Sequence, residues 1–248
     1  MYDSIKHLIG PSGGISYHYF AWRYRATYWR PFLSQVESWL LKDWNPNSKI
    51  LIIFGPSAGW SLPFAFLNRF ERIICVEPDP LARSLFLKRF SALSRRLEFL
   101  SETALMPWFA NPFGSTGPLE ELLSREPNAA ILFANVLGQV PLLLPSSIGE
   151  EDHIETLRQL VSTLNGREAA SYHDLLSSPN EPLSSRPNFL PAKEAGPNSS
   201  QIASQFFPPG SEVVDHETLF LSRNRDTRIA LWRIRPGMHH IIGFIRFA

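Results

Sequence analysis

Residues 49–59, KILIIFGPSAG, and residues 72–83, RIICVEPDPLAR, decide the fold. Lys49–Phe54 is a continuous apolar run closed by Gly55, the pattern of a strand buried on both faces. Gly59–Phe70 has helical spacing, with Pro63 in its first turn. Arg72–Glu77 reads as a second strand, ended by Pro78. Asp79 then stands as N-cap, and Pro80 as first helical residue, of a helix over 80–91.

The alternation continues outward. Leu97–Leu100 reads as a third strand, Ala129–Ala134 as a fourth and Ala169–Leu176 as a fifth. Glu150–Leu164 is an amphipathic helix with acids in its first turn, where the helix dipole favours them. Arg228–Ile234 and His239–Phe247 are joined only by residues 235–238, so they form an antiparallel hairpin. The expectation is an α/β doubly wound sheet, mostly parallel, with an antiparallel strand near its C-terminal end. Ligands of such sheets sit past the C-terminal ends of the strands.

Composition excludes other classes. The 248 residues hold 18 Phe, 7 Trp and 6 Tyr, too aromatic for a disordered chain. One cysteine, Cys75, allows no intramolecular disulfide framework and no multi-cysteine zinc cluster. No long uninterrupted apolar run predicts a membrane span, and residues 1–10 lack the apolar core of a signal peptide. The expectation is a cytoplasmic protein. Net charge is +1, but residues 1–49 carry +3, residues 50–221 carry −7 and residues 222–248 carry +5. The acidic middle and the basic ends either pack together or turn the ends toward an anionic partner.

Gly55, Ser57 and Gly59 make a small-residue turn after the first strand, and Glu77 ends the second strand 22 residues after Gly55. Small residues admit a ligand close to the backbone, and an acid at that strand end can accept hydrogen bonds from both hydroxyls of a ribose. The pairing points to a nucleoside-containing ligand. The turn is not a Walker A loop, because no Lys-Ser/Thr follows. No G-x-S-x-G is present, so a hydrolase is not indicated. A nicotinamide-dependent oxidoreductase would share the acidic strand end but carries a fuller glycine fingerprint.

These residues resemble the class I methyltransferases, the Rossmann-like family that uses S-adenosylmethionine. ILIIFGPSAG is similar to that family's first motif, VEPDPLAR to its second, LEFLSETA to its third and AAILFANVLGQV to its fourth. The terminal WRIRPGMHHIIGFIRF matches the fold's last pair, with the final strand inserted beside the fifth. The resemblance implies that Gly55, Ser57 and Gly59 cradle the methionine part of the cofactor, Glu77 the ribose, and Asp79 with Glu102 the adenine side. Asn135 would face the acceptor. Ile53 stands where the family usually carries an acid, and Ser57 takes the place of the middle glycine. These departures leave a second reading, a methyltransferase-like binding or scaffold protein without catalysis.

No dyad is legible. His173-Asp174 and Asp215-His216 are neighbours, and adjacent strand residues point to opposite faces. His239-His240 opens the last strand as structure or pocket wall, and no histidine spacing indicates a metal site. Residues 17–32 interleave aromatics with Arg23, Arg25 and Arg30. A stripe through Trp22, Arg25 or Ala26, Trp29, Phe32 or Leu33, Val36, Trp39 and Leu40 suits a helix on the sheet, with Pro31 kinking it or starting a second one. The same stretch could close over the site or stack on bases. The modest total charge argues against nucleic acid. Seven prolines between 177 and 209 predict an irregular segment. The layout expected is one domain: an N-terminal helical extension over 1–48, a cofactor-binding core over 49–176, an insertion over 177–226 and a hairpin over 227–248. The acceptor and the oligomeric state are not legible.

Overall fold

The structure is a computed structural model that describes residues 14–100, 117–139, 149–192 and 198–247. Helices α1 (Gly14–Tyr24) and α2 (Arg30–Ser38) come first. A π-helical turn over Trp39–Trp44 and strand β1 (Ile50–Phe54) follow. Next come α3 (Phe64–Leu67), β2 (Arg72–Val76), α4 (Pro80–Arg89) and β3 (Leu97–Leu100). Helix α5 (Gly117–Arg125), β4 (Ala130–Ala134), α6 (Glu150–Thr163) and β5 (Ala169–Ser178) complete the parallel part. The last elements are β6 (Asn188–Leu190), α7 (Ser199–Phe206), β7 (Val214–Asp215), β8 (Thr227–Arg235) and β9 (Met238–Arg246).

The sheet runs β3-β2-β1-β4-β5-β9-β8-β6, with β7 paired to β5 as well. Strands β1 to β5 pair in parallel, and β9 inserts antiparallel between β5 and β8. The fold is Rossmann-like, with the final strand beside the fifth as expected. Strand β5 outruns β4, and β7 pairs with it at Leu176 and Ser177, beyond the last β4 partner.

Apolar layers cover both faces. One layer joins α1, α2, the π turn, Phe66, Phe86 and Phe90 to alternate residues of β1, β2, β4, β5, β8 and β9. The other joins Leu119, Leu122 and Leu123 of α5 and Leu157 and Leu160 of α6 to the opposite residues. Burial on both sides leaves Leu51, Ile52, Ile53 and Phe54 fully enclosed, each contributing on the order of 1.5–3 kcal/mol.

The hairpin is fixed to the N-terminal extension by aromatic packing. Trp29 Nε1 donates to the Ile234 carbonyl at 2.9 Å, and its ring meets Trp232 edge-on at 4.8 Å. Phe32 stacks on Trp232 at 4.5 Å. Asp43 adds an ion pair to Arg228 at 2.8 Å. The two basic ends of the chain therefore meet each other through this acid, in addition to the pairs that Arg72 makes with Glu98 and Glu126 in the middle.

Three expectations change. Helix α3 spans four residues instead of the whole of 59–70, because Pro63 pushes Leu62 out of the helical region and turns occupy 57–61. Trp22 is 72% exposed: the chain turns after Tyr24, Pro31 starts a second helix, and α1 buries Gly14, His18 and Ala21 instead. The proline-rich segment is not wholly irregular. Its prolines bracket a free run in which Asn198 caps α7, and Ile202 and Phe206 pack against Leu175, Ile229 and Ile241. No helix among the described residues is long and apolar enough to cross a membrane.

The aromatic clamp predicts a contrast in urea unfolding. Trp29→Ala and Phe32→Ala are each expected to lose about 3–5 kcal/mol. Trp22→Ala should stay within about 0.5 kcal/mol. Equal losses at all three positions would remove the clamp from the account.

Candidate functional site

The C-terminal ends of β1, β2, β4 and β5 meet at one edge of the sheet. After β1 the backbone enters the left-handed region at Gly55, Ser57 and Gly59. A Cβ on Gly55 would fall 2.9 Å from the Val136 Cβ, and one on Gly59 would fall 2.4 Å from the Phe90 ring. The chain itself fills both spaces, so these glycines serve its own close packing. No helix begins at this turn: the amides of Gly59 and Leu62 bond in turns, and that of Ser57 bonds Glu77.

Glu77 reaches back from β2 over that turn. One carboxylate oxygen accepts from the Ser57 amide at 2.8 Å and the other from the Asp79 amide at 3.0 Å. Glu77 is buried at 6% exposure. Burial raises its carboxyl to about 7, against the two amide bonds, which pull it down. Asp79 caps α4 as expected, accepting from the Leu81 amide at 2.8 Å. Its second oxygen lies 3.7 Å from His18 Nε2. Glu102 lies outside the described residues.

Helix α1 lies over this end. His18 Nδ1 accepts from Trp60 Nε1 at 3.0 Å, and Arg25 Nε donates to the Trp60 carbonyl at 2.9 Å. Burial first, then Tyr172, Asp174 and Glu77, push the Tyr17 hydroxyl up. Tyr17 therefore sits where both carboxylates are felt. The N-terminal extension does two things at once: α2 packs on the sheet, and α1 covers the segment after β1.

Asn135 ends β4 in the left-handed region at φ 58°. Its Nδ2 donates to Asp174 Oδ2 at 3.2 Å, while its Oδ1 is buried with no partner among the described residues. Asp174 Oδ1 accepts from His240 Nδ1 at 2.7 Å. Burial alone would raise the Asp174 carboxyl. The His240 charge and hydrogen bond, with His216 and Asn135, outweigh burial and hold it below the usual range. Gly138 makes the approach possible, since a Cβ there would lie 2.6 Å from the Asp174 carbonyl oxygen.

The structure thus brings together Gly55, Ser57, Gly59, Glu77 and Asp79 on one side and Asn135 on the other. The pairing of Asp174 with His240 escaped the sequence reading, because 66 residues separate them and each was read only beside its neighbour in the chain. The available signal was the insertion of the last strand, which sets His240 opposite Ser177 of β5. His173 bonds Ser171, and His216 bonds the Gly138 carbonyl and Ser177, so neither pairs with its neighbouring acid. Among the described residues, no group of three His, Cys, Asp or Glu is arranged to hold a metal ion.

No family model matches this chain, and no curated protein matches it. Solved structures do. The N-methyltransferase NodS from Bradyrhizobium japonicum, in complex with S-adenosyl-L-homocysteine, is 11% identical at a TM-score of 0.48, over 99% of this chain and 97% of that one. Magnesium protoporphyrin IX methyltransferase from Synechocystis, with bound S-adenosylmethionine, is 12% identical at 0.43, over 99% and 90%. The glycopeptide N-methyltransferase MtfA, complexed with S-adenosylmethionine, is 14% identical at 0.39, over 85% and 92%.

Glu77 generates a pH prediction. A carboxyl raised in the folded state, from 4.5 to about 7, stabilises the fold fully below 4.5, and that contribution is lost as pH rises through about 7. Glu77→Gln keeps the shape without the proton equilibrium. Its unfolding free energy, relative to wild type, should climb between pH 4.5 and 7 by on the order of 3 kcal/mol. A constant difference across that interval would mean that Glu77 titrates normally.

Proposed function

We propose that the protein is an S-adenosylmethionine-dependent methyltransferase acting on an acceptor still to be identified. The observation that carries this reading is Glu77. A buried acid at the end of β2, fixed by the amides of Ser57 and Asp79, stands beside the turn after β1. When the carboxyl is ionised, each of its oxygens accepts one N–H and keeps a lone pair, which would let it take both hydroxyls of a ribose.

The donor set fits the cofactor. Ser57 would offer its hydroxyl to the methionine carboxylate at the turn after β1. Glu77 would hold the ribose, and Asp79 with Glu102 would border the adenine. Asn135 offers a buried, unpartnered carbonyl oxygen, which suits an N–H of the acceptor or of the methionine amine. When bound, the cofactor supplies a methyl group activated by a sulfonium charge. The chain's part is to orient the acceptor in line and to exclude water, with α1 as cover.

One observation favours a second reading. Ile53, at the position where the family usually has an acid, is fully buried in the apolar layer. A binding or scaffold protein that kept the fold without catalysis would carry such a residue there.

Calorimetric titration tests the first reading. S-adenosylmethionine and S-adenosylhomocysteine are expected to bind with micromolar affinity, and Glu77→Ala should weaken both at least tenfold, about 1.4 kcal/mol. Absence of binding by the wild-type chain ends the proposal. Labelled methyl appearing on any fraction of a cell extract would exclude the scaffold reading.

A further inference from the structure

The candidate site holds a second carboxylate that no cofactor contact uses. Asp174 shares its face of β5 with Tyr172, which packs against Phe32 and Phe244 beneath the N-terminal helices. It is 1% exposed and ionised, so it only accepts. The His240 nitrogen that meets it at 2.7 Å must therefore carry a proton. In the neutral ring that leaves Nε2 with its lone pair free. Nε2 makes no hydrogen bond among the described residues, and the His240 side chain keeps 18% of its surface exposed. The other described histidines are buried: His18, His153, His173, His216 and His239.

The surroundings fit a proton acceptor at this atom. Trp232 of β8 stands beside the ring at 6.4 Å, and the His216 ring lies at 5.9 Å. Asp174 is the acid on it, and Asn135 fastens that acid to the end of β4. Tyr17 of α1, which feels both Asp174 and Glu77, meets the same Trp232 edge-on at 6.5 Å. One carboxylate thus links the Asn135 amide to the His240 imidazole.

We propose that His240 Nε2 takes the proton of the methyl acceptor, with Asp174 as the positioning residue that fixes the ring and its tautomer. The role rests on the methyltransferase reading above and narrows it: the acceptor is a neutral nucleophile bearing an N–H or O–H. The bond from hydrogen to the acceptor atom breaks, and the proton passes to Nε2. The electron pair left on the acceptor forms its bond to the methyl carbon, and the pair of the broken carbon–sulfur bond stays on sulfur. No further reactant is needed.

The test uses the full chain labelled with nitrogen-15 at histidine, without cofactor. NMR is expected to show His240 as the Nδ1–H tautomer when neutral, and as a tautomer mixture in Asp174→Asn. Diethyl pyrocarbonate should modify His240 at least about tenfold faster than the buried histidines, since the reagent acylates a free ring nitrogen that it can reach. An Nε2–H tautomer, or a ring that the reagent does not reach, overturns the proposal. With labelled S-adenosylmethionine and an extract of acceptors, His240→Gln should transfer methyl about 10²-fold more slowly or worse, while S-adenosylhomocysteine affinity stays within about twofold. Equal transfer also overturns it. A wild-type chain that does not bind S-adenosylhomocysteine removes the methyltransferase reading and this role together. A chain that binds it but shows the wrong tautomer removes this role alone.

Discussion

Asp174 carries a charge inside the sheet at 1% exposure, and an ion in such a place persists only with partners around it. Each partner comes from a different part of the chain. His240 arrives on β9 and Asn135 on the turn after β4, each bonding the carboxylate, and the His216 ring after β7 also favours its charge. Gly138 alone allows that turn to lie so near β5. Removing one partner leaves the carboxylate uncompensated, so the geometry of the strand ends is held tightly by a single group.

The same edge of the sheet depends on insertion of the last strand. Strand β9 supplies β5 with its second edge along nearly its full length, with a bulge between Asp174 and Leu176. A bulge re-aims side chains and increases twist. The hairpin in turn leans on Trp29 and Phe32, so the N-terminal extension stabilises the strand that completes the site. Its preceding helix then covers the turn after β1 through His18 and Arg25. Packing and cover are successive turns of one segment.

Much of the sheet was legible. Strands β1, β2, β4 and β5 are runs that cannot stay in water, and their spacing with the helices leaves few topologies. Asp79 and Pro80 marked α4 because capping is a local interaction. Helix α3 failed because a helical period in Gly59–Phe70 ignored the effect of Pro63 on Leu62. The stripe through Trp22 failed because a period was carried across a break after Tyr24. Helix α7 was hidden by prolines that flank it without entering it.

For the site, the sequence by itself determined which residues stand at strand ends: Gly55, Ser57, Glu77, Asp79 and Asn135. Strand periodicity and local turn chemistry place them there, and both are written in neighbouring residues. Only the tertiary structure decided what these groups touch. It turned Glu77 back onto the Ser57 amide, gave the spaces at Gly55 and Gly59 to Val136 and Phe90, and joined Asp174 to His240. Those contacts span 20 to 81 residues. They follow from strand order and register, which the buried faces of the whole sheet settle together.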